Sequence, residues 1–149
     1  LDIHTISTLK QVINSPEYEE LNRIHKLQLI YSALFHDMEK IEGIVDSKHP
    51  IKGAEKSLTI LQRLGFNENF ILNVYILVKY HQVMGFMAVN KLKFEDLDQE
   101  LLNCEPVIYK MLKIITRADI QSVKAHNRFF TKEIELNLDK ICKDFETIK

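Results

Sequence analysis

Apolar residues recur at three- and four-residue spacing along almost the whole chain, and that period predicts helices. Ile3, Ile6, Leu9, Val12 and Ile13 form a first stripe, with Asp2 placed to cap its start. Asn14-Ser15-Pro16 breaks it, with Ser15 as a cap and Pro16 in the first turn of the next helix. From Glu17 the stripe Leu21, Ile24, Leu27, Tyr31, Leu34 leads to His36-Asp37. Residues 41–48 read as a loop, with Gly43 as a helix stop. A helix through Leu58, Leu61 and Leu64 follows, closed by Gly65. Asn67 caps a stripe of Ile71, Val74, Leu77, Val78 and then His81. Residues 83–90 read as a partly apolar loop beside a cleft. Phe94, Leu97 and Leu101 suggest a short helix. Glu105-Pro106 opens a helix with Ile108, Met111, Leu112, Ile115 and Asp119 on one face, and Phe129, Ile134, Leu138, Ile141 and Phe145 mark a last one.

Composition narrows the class. Of 149 residues, 46% are hydrophobic, enough for one core, and only 4 Gly and 3 Pro are present. An all-α bundle of five or more helices, forming a single domain over residues 1–149, is the expectation. The net charge of -1 and the lack of a basic stripe argue against autonomous nucleic-acid binding. Cys104 and Cys142 lack metal-ligand spacing and read as reduced thiols. No apolar run approaches a membrane span and no signal peptide is visible, so a cytoplasmic protein is expected. The opening at Leu1 suggests a domain of a longer protein.

Polar residues on the predicted apolar stripes are the candidates for chemistry. His81 is four residues beyond Leu77 and seven beyond Val74, on the buried face; a core histidine bonded to a backbone carbonyl is its ordinary reading. Asp119 sits four residues past Ile115, where an ionised carboxylate is costly unless paired or metal-bound. Arg117 lies on a different face, so a metal explains Asp119 better. His36 and Asp37 offer an imidazole and a carboxylate side by side, donors that suit a borderline divalent ion. Neighbours on a helix point about 100° apart, so both reach one ion only near a helix end. His4 lies in the first turn of its helix. His49 stands before Pro50 in a loop, followed by Gly53 and Ala54, which permit close approach of another backbone.

The order His4-Thr5, Leu34-Phe35-His36-Asp37 with Lys40, His49-Pro50 with Gly53-Ala54, Lys79-Tyr80-His81 and Arg117-Ala118-Asp119 resembles the HD-domain superfamily of metal-dependent phosphohydrolases. The resemblance covers residues 4 to about 123 and leaves the last helix, 124–149, outside it. It implies an all-helical fold and a first metal held by His4, His36, Asp37 and Asp119. His49 and His81 match the extra ligands of members with a second metal, bridged by Asp37. Lys40 matches a lysine near the substrate phosphate, so Asp37 and Lys40 are the expected catalytic residues. The implied reaction is hydrolysis of a phosphomonoester or phosphodiester in a small nucleotide-like substrate, by hydroxide activated on one or two divalent ions. Mn, Fe, Co, Ni, Zn or Mg would all serve. Two features depart from the pattern. Glu39 stands where the family often has glycine, and Gln82-Val83-Met84-Gly85-Phe86 lacks the second histidine and the Gly-Tyr-Pro signature of cyclic-di-GMP phosphodiesterases. Two alternatives remain: the di-iron oxygenases with the same six-ligand pattern, and the accessory, RNA-associated HD modules of tRNA nucleotidyltransferases, which the segment from Leu64-Gly65 to His81 also resembles.

Overall fold

The computed structural model describes residues 2–40, 48–123 and 131–148. Among these the chain is all-helical, with no strand. The elements are α1 (Ile3–Asn14), α2 (Pro16–Glu19), α3 (Arg23–Phe35), α4 (His49–Arg63), α5 (Glu68–Lys79), α6 (Val83–Ala88), a 3₁₀ turn (Phe94–Asp96), α7 (Gln99–Leu102), α8 (Pro106–Ser122) and α9 (Lys132–Thr147). No helix among them is long and apolar enough to cross a membrane.

Side-chain caps set several helix starts. The carboxylate of Asp2 accepts from Thr5 N, the amide oxygen of Asn22 from His25 N, and that of Asn67 from Phe70 N. The cap at Asn22 separates α2 from α3, where one continuous helix is predicted from Glu17. The helix stop expected at Gly43 and all of the expected loop 41–48 except Lys48, the residue before α4, lie outside the described residues, as does Phe129.

Helices α1 and α3 bury a different face from the one their largest apolar residues mark. In α1 the buried residues are Thr5, Thr8 and Val12, while Ile3, Ile6 and Ile13 are exposed. In α3 they are Gln28, Leu29, Ser32 and Ala33, with Ile24 and Leu27 exposed. Polar atoms on that face find partners. Ser32 Oγ donates to Gln28 O at 2.7 Å, and Gln28 Nε2 donates to Phe70 O at 3.4 Å. Small and hydrogen-bonded residues let α3 lie close against its neighbours, which periodicity of large apolar residues does not register.

Two apolar clusters result. Ala54 and Leu61 of α4 meet Phe70, Ile71, Val74 and Val78 of α5, with Tyr31 and Phe35 packed alongside. The larger cluster joins α1, α3, α5, α6, α8 and α9 through residues such as Leu29, Leu77, Met84, Met111, Leu112 and Leu138. Helix α9 closes it: Phe145 stacks on Tyr109 with ring centroids 4.6 Å apart. Arg117 ties α8 to α2 and α9, donating from Nη1 and Nη2 to the Glu17 carboxylate at 2.9 and 2.6 Å, with Glu135 at 3.0 Å.

Two contacts position the site. Gly65, at φ 86°, ends α4 as expected, with Phe66 N–H reaching Leu61 O and its own N–H reaching Gln62 O. At the other end of α4, a Cβ on Gly53 would lie 3.3 Å from Phe35 O, tighter than side chains normally pack. The bare glycine brings the start of α4 against the end of α3, and so sets His49 opposite Asp37.

Candidate metal centre

The six predicted histidines and aspartates converge from five places in the chain. His4 lies in the first turn of α1, His36 caps the C-terminus of α3, and Asp37 follows in the next turn. His49 is the first residue of α4 rather than a loop residue, because Pro50 is tolerated inside a first turn and lets the helix begin there. His81 follows the end of α5, and Asp119 lies in the last part of α8.

Asp37 stands between two sets of donors. Its Oδ2 is 3.3 Å from His4 Nε2 and 3.4 Å from His36 Nε2. Its Oδ1 is 3.2 Å from His49 Nε2 and 3.8 Å from His81 Nε2. Asp119 Oδ1 joins the first set, 2.8 Å from His4 Nε2 and 3.2 Å from His36 Nε2. Ligand atoms of His4, His36, Asp37 and Asp119 all lie within 4.8 Å of one another, and so do those of Asp37, His49 and His81. Each group could hold a metal ion, and Asp37 belongs to both.

Backbone carbonyls fix two of the imidazoles. His36 Nδ1 donates to Ala33 O at 2.6 Å, and His81 Nδ1 donates to Val78 O at 2.6 Å. A carbonyl only accepts, so each Nδ1 carries the proton and each Nε2 turns toward the carboxylates, the arrangement that orients a metal-binding histidine. For His81 the ordinary reading of a core histidine accounts for Nδ1 and leaves Nε2 over. That nitrogen is buried and has no hydrogen-bond partner among the described residues.

The protonation states follow from this crowding. Burial pushes the His81 imidazole down to about 4, only partly opposed by the charge of Asp119, so it is neutral at pH 7. The Asp119 hydrogen bond, then that of Asp37, raises His4 to about 10 against the effect of burial. Burial works most strongly to depress His36, but the hydrogen bond and charge of Asp119, with the Asp37 charge and the bond to Ala33 O, together raise the group. Burial opposes ionisation of Asp37, yet the hydrogen bond from His4 and the charge of His36 hold its carboxyl at about 2. Asp119, despite its burial, is held well below the usual carboxylate range by His36 and His4.

The donor set fits a divalent ion: four imidazole nitrogens and two carboxylates, with the His81 nitrogen otherwise unsatisfied. No protein-family model matches the chain, and no curated protein matches it either. The helical fold and the two His/Asp groups are compatible with an HD-like site.

A cleft of about 1030 Å³ opens from these groups, with His4, Asp37, His81 and Asp119 in its lining. Lys40 lines it too, its backbone N–H donating to Asp37 O in the turn that follows α3. Glu39 does not contribute to the lining and pairs with Lys56 of α4 at 2.9 Å. Residues 83–90, read as a loop from their glycine and methionines, instead carry α6, which buries Met84, Met87 and Ala88 and turns Gln82, Gly85, Phe86 and Val89 to the cleft. Polar residues that sequence reasoning passed over also line it: Asp2, Gln82, Lys91, Thr116 and Ser122. Only Thr116 carried a signal, lying three residues before Asp119 on the same helical face.

Proposed function

We propose that this centre binds two divalent ions and hydrolyses the phosphate ester of a small, nucleotide-like molecule. The observation that carries the reading is the division of the Asp37 carboxylate, one oxygen facing His4 and His36 and the other facing His49 and His81. Bound ions would supply Lewis acidity, toward a phosphate and toward the water that attacks it.

This chain's own residues do the rest. His36 and His81 enter with their tautomers set by Ala33 O and Val78 O, so no reorientation is needed on binding. Neutral His81 offers a lone pair without first losing a proton. Lys40 brings a positive charge to the cleft beside Asp37, suited to neutralising charge on a transferring phosphate. Glu39, held by Lys56, does not oppose the substrate's charge. The net charge of -1 favours a small anionic substrate over a nucleic acid, which needs clustered cations along its contact surface.

Elemental analysis of the purified protein and of the His49→Ala/His81→Ala double variant tests the reading. The expected result is about two ions falling to about one, with hydrolysis of p-nitrophenyl phosphate falling alongside. One ion in both proteins would leave a mononuclear centre on His4, His36, Asp37 and Asp119, and two ions in both would remove His49 and His81 from the ligands. Oxygen consumption by iron-loaded protein without phosphate release would move the reading to the di-iron oxygenases.

A further inference from the structure

The cleft changes character along its length. Gln82, Gly85, Phe86 and Val89 follow one stripe along α6 and its two caps, and Thr116, Asp119, Ile120 and Val123 follow one stripe along α8 and its C-cap. These are i, i+3, i+4 and i+7 positions, so each helix turns a single face to the cleft. The helices meet at Gly85, where an added Cβ would lie 3.5 Å from Ile120 Cδ1 and 3.7 Å from Thr116 Cγ2. Both stripes begin polar, beside His81 and Asp119, and become apolar one turn further out.

The outer half is an apolar wall with uncovered area. Phe86 is 45% exposed and Val89 46%, although Met84, Met87 and Ala88 of α6 are buried. Isolated exposed apolar residues are ordinary, but these two share one concave surface with Ile120, Val123 and Ile134. The hydroxyls of the wall have already spent their protons within the fold. Thr116 Oγ1 donates to His81 O at 3.1 Å, and Ser122 Oγ donates to Ala118 O at 2.6 Å. Between Gln82 and Lys91, over Phe86, Val89, Ile120 and Val123, a polyol would find few donors for its oxygens, whereas a flat apolar group would cover Phe86 and Val89 and release water from both.

The rim is set by the end of α6. Asn90, at φ 61°, takes the left-handed position after the helix; its N–H reaches Met87 O, and Lys91 N–H reaches Phe86 O at 2.8 Å. This pair of bonds folds the chain back on itself and holds Lys91 next to Phe86, in the lining of the cleft.

Resting on the phosphohydrolase reading above, we propose that the α6–α8 wall is the subsite for the organic part of the substrate. That part is a flat, apolar group seated on Phe86 and Val89, not a polyol. Phe86 is the residue that sets this preference.

Phosphonates, whose C–P bond resists hydrolysis, allow the preference to be read as binding. Titration calorimetry of the metal-containing protein would compare phenylphosphonate, 2,3-dihydroxypropylphosphonate and methylphosphonate. Phenylphosphonate is expected to bind about tenfold or more tightly than the dihydroxypropyl compound, the scale of one good hydrophobic contact. Phe86→Ala should bring the two within about twofold while leaving methylphosphonate unchanged, and Val89→Ser should lower the ratio as well. Circular dichroism checks that each variant keeps its helix content, and either variant suffices if the other unfolds. Equal affinities in the wild type, or a ratio that neither variant moves, would overturn the proposal. A normal metal content with methylphosphonate bound, alongside that failure, would overturn this proposal alone. A wild type that binds neither metal nor methylphosphonate would overturn the phosphohydrolase reading beneath it.

Discussion

Replacing Asp37 by Asn keeps the size of the side chain and removes its charge, so two consequences can be read separately. In metal-free protein the carboxyl is held at about 2 against a usual 3.8 by His4 and His36, which stand 3.3 and 3.4 Å from its Oδ2. At 1.36 kcal/mol per unit, the folded state gains about 2 kcal/mol at neutral pH from that ionised form. For a chain of this size, such a loss lowers the melting temperature by about 4–8 °C. Metal adds a second difference. At a concentration about a hundredfold above Kd, one ion stabilises the wild type by about 2.7 kcal/mol, and Asp37→Asn removes an anionic ligand from both groups. Thermal melts followed by circular dichroism, with chelator and then with excess Mn²⁺, resolve both effects. The variant should melt lower in chelator and show little or no rise with metal. A full metal-dependent rise in the variant would refute the assignment of Asp37 as a shared ligand. Coincident melts in chelator would refute the ion-pair account.

Chelated protein should lose stability as the solution turns alkaline. The His4 imidazole is raised from 6.5 to about 10, so its contribution is full below pH 6.5 and is lost as pH rises through about 10. Added metal, which takes the deprotonated ring, should reverse that slope, and melting temperatures across this range check both signs. Glu17→Gln should cost about 1–2 kcal/mol in urea unfolding, since it leaves the nearly buried Arg117 without its bidentate partner, discounted for the partial exposure of Glu17. Arg117 holds the Glu17 carboxyl at about 2, below its usual 4.5, so the difference between wild type and variant should be present above pH 4.5 and fade as pH falls through about 2.

The helices and the candidate donors were legible because both leave short-range marks. Asp119 on an apolar stripe and His81 at the end of another are local anomalies, and the fold brings their ligand atoms within reach of His36 and Asp37. Arg117 was read as facing away from Asp119, and it does, toward Glu17 and Glu135. The partners themselves could not be read, because they stand 100 and 18 positions away and nothing local selects them. The faces of α1 and α3 were misjudged where Gln28 and Ser32 go inside through hydrogen bonds and Thr8 through close packing, not through hydrophobicity. Helix α6 was missed because six residues with a central glycine carry too short a period to outweigh turn chemistry.

The contact between His4 and Asp119 spans 115 positions, and His4 meets His36 across 32. Such a constellation exists only after most of the chain has come together, since closing loops of that length is deferred until many other contacts offset its entropy. An ion that needs both ends of the span would therefore be expected to find no complete site in the folding transition state. In kinetic terms, an ion held there would act as a latch and not a template: it would leave the rate of folding alone and slow unfolding by nearly its whole binding free energy. Resistance of the protein to proteolysis under conditions governed by opening would then be set by metal supply as much as by the apolar core.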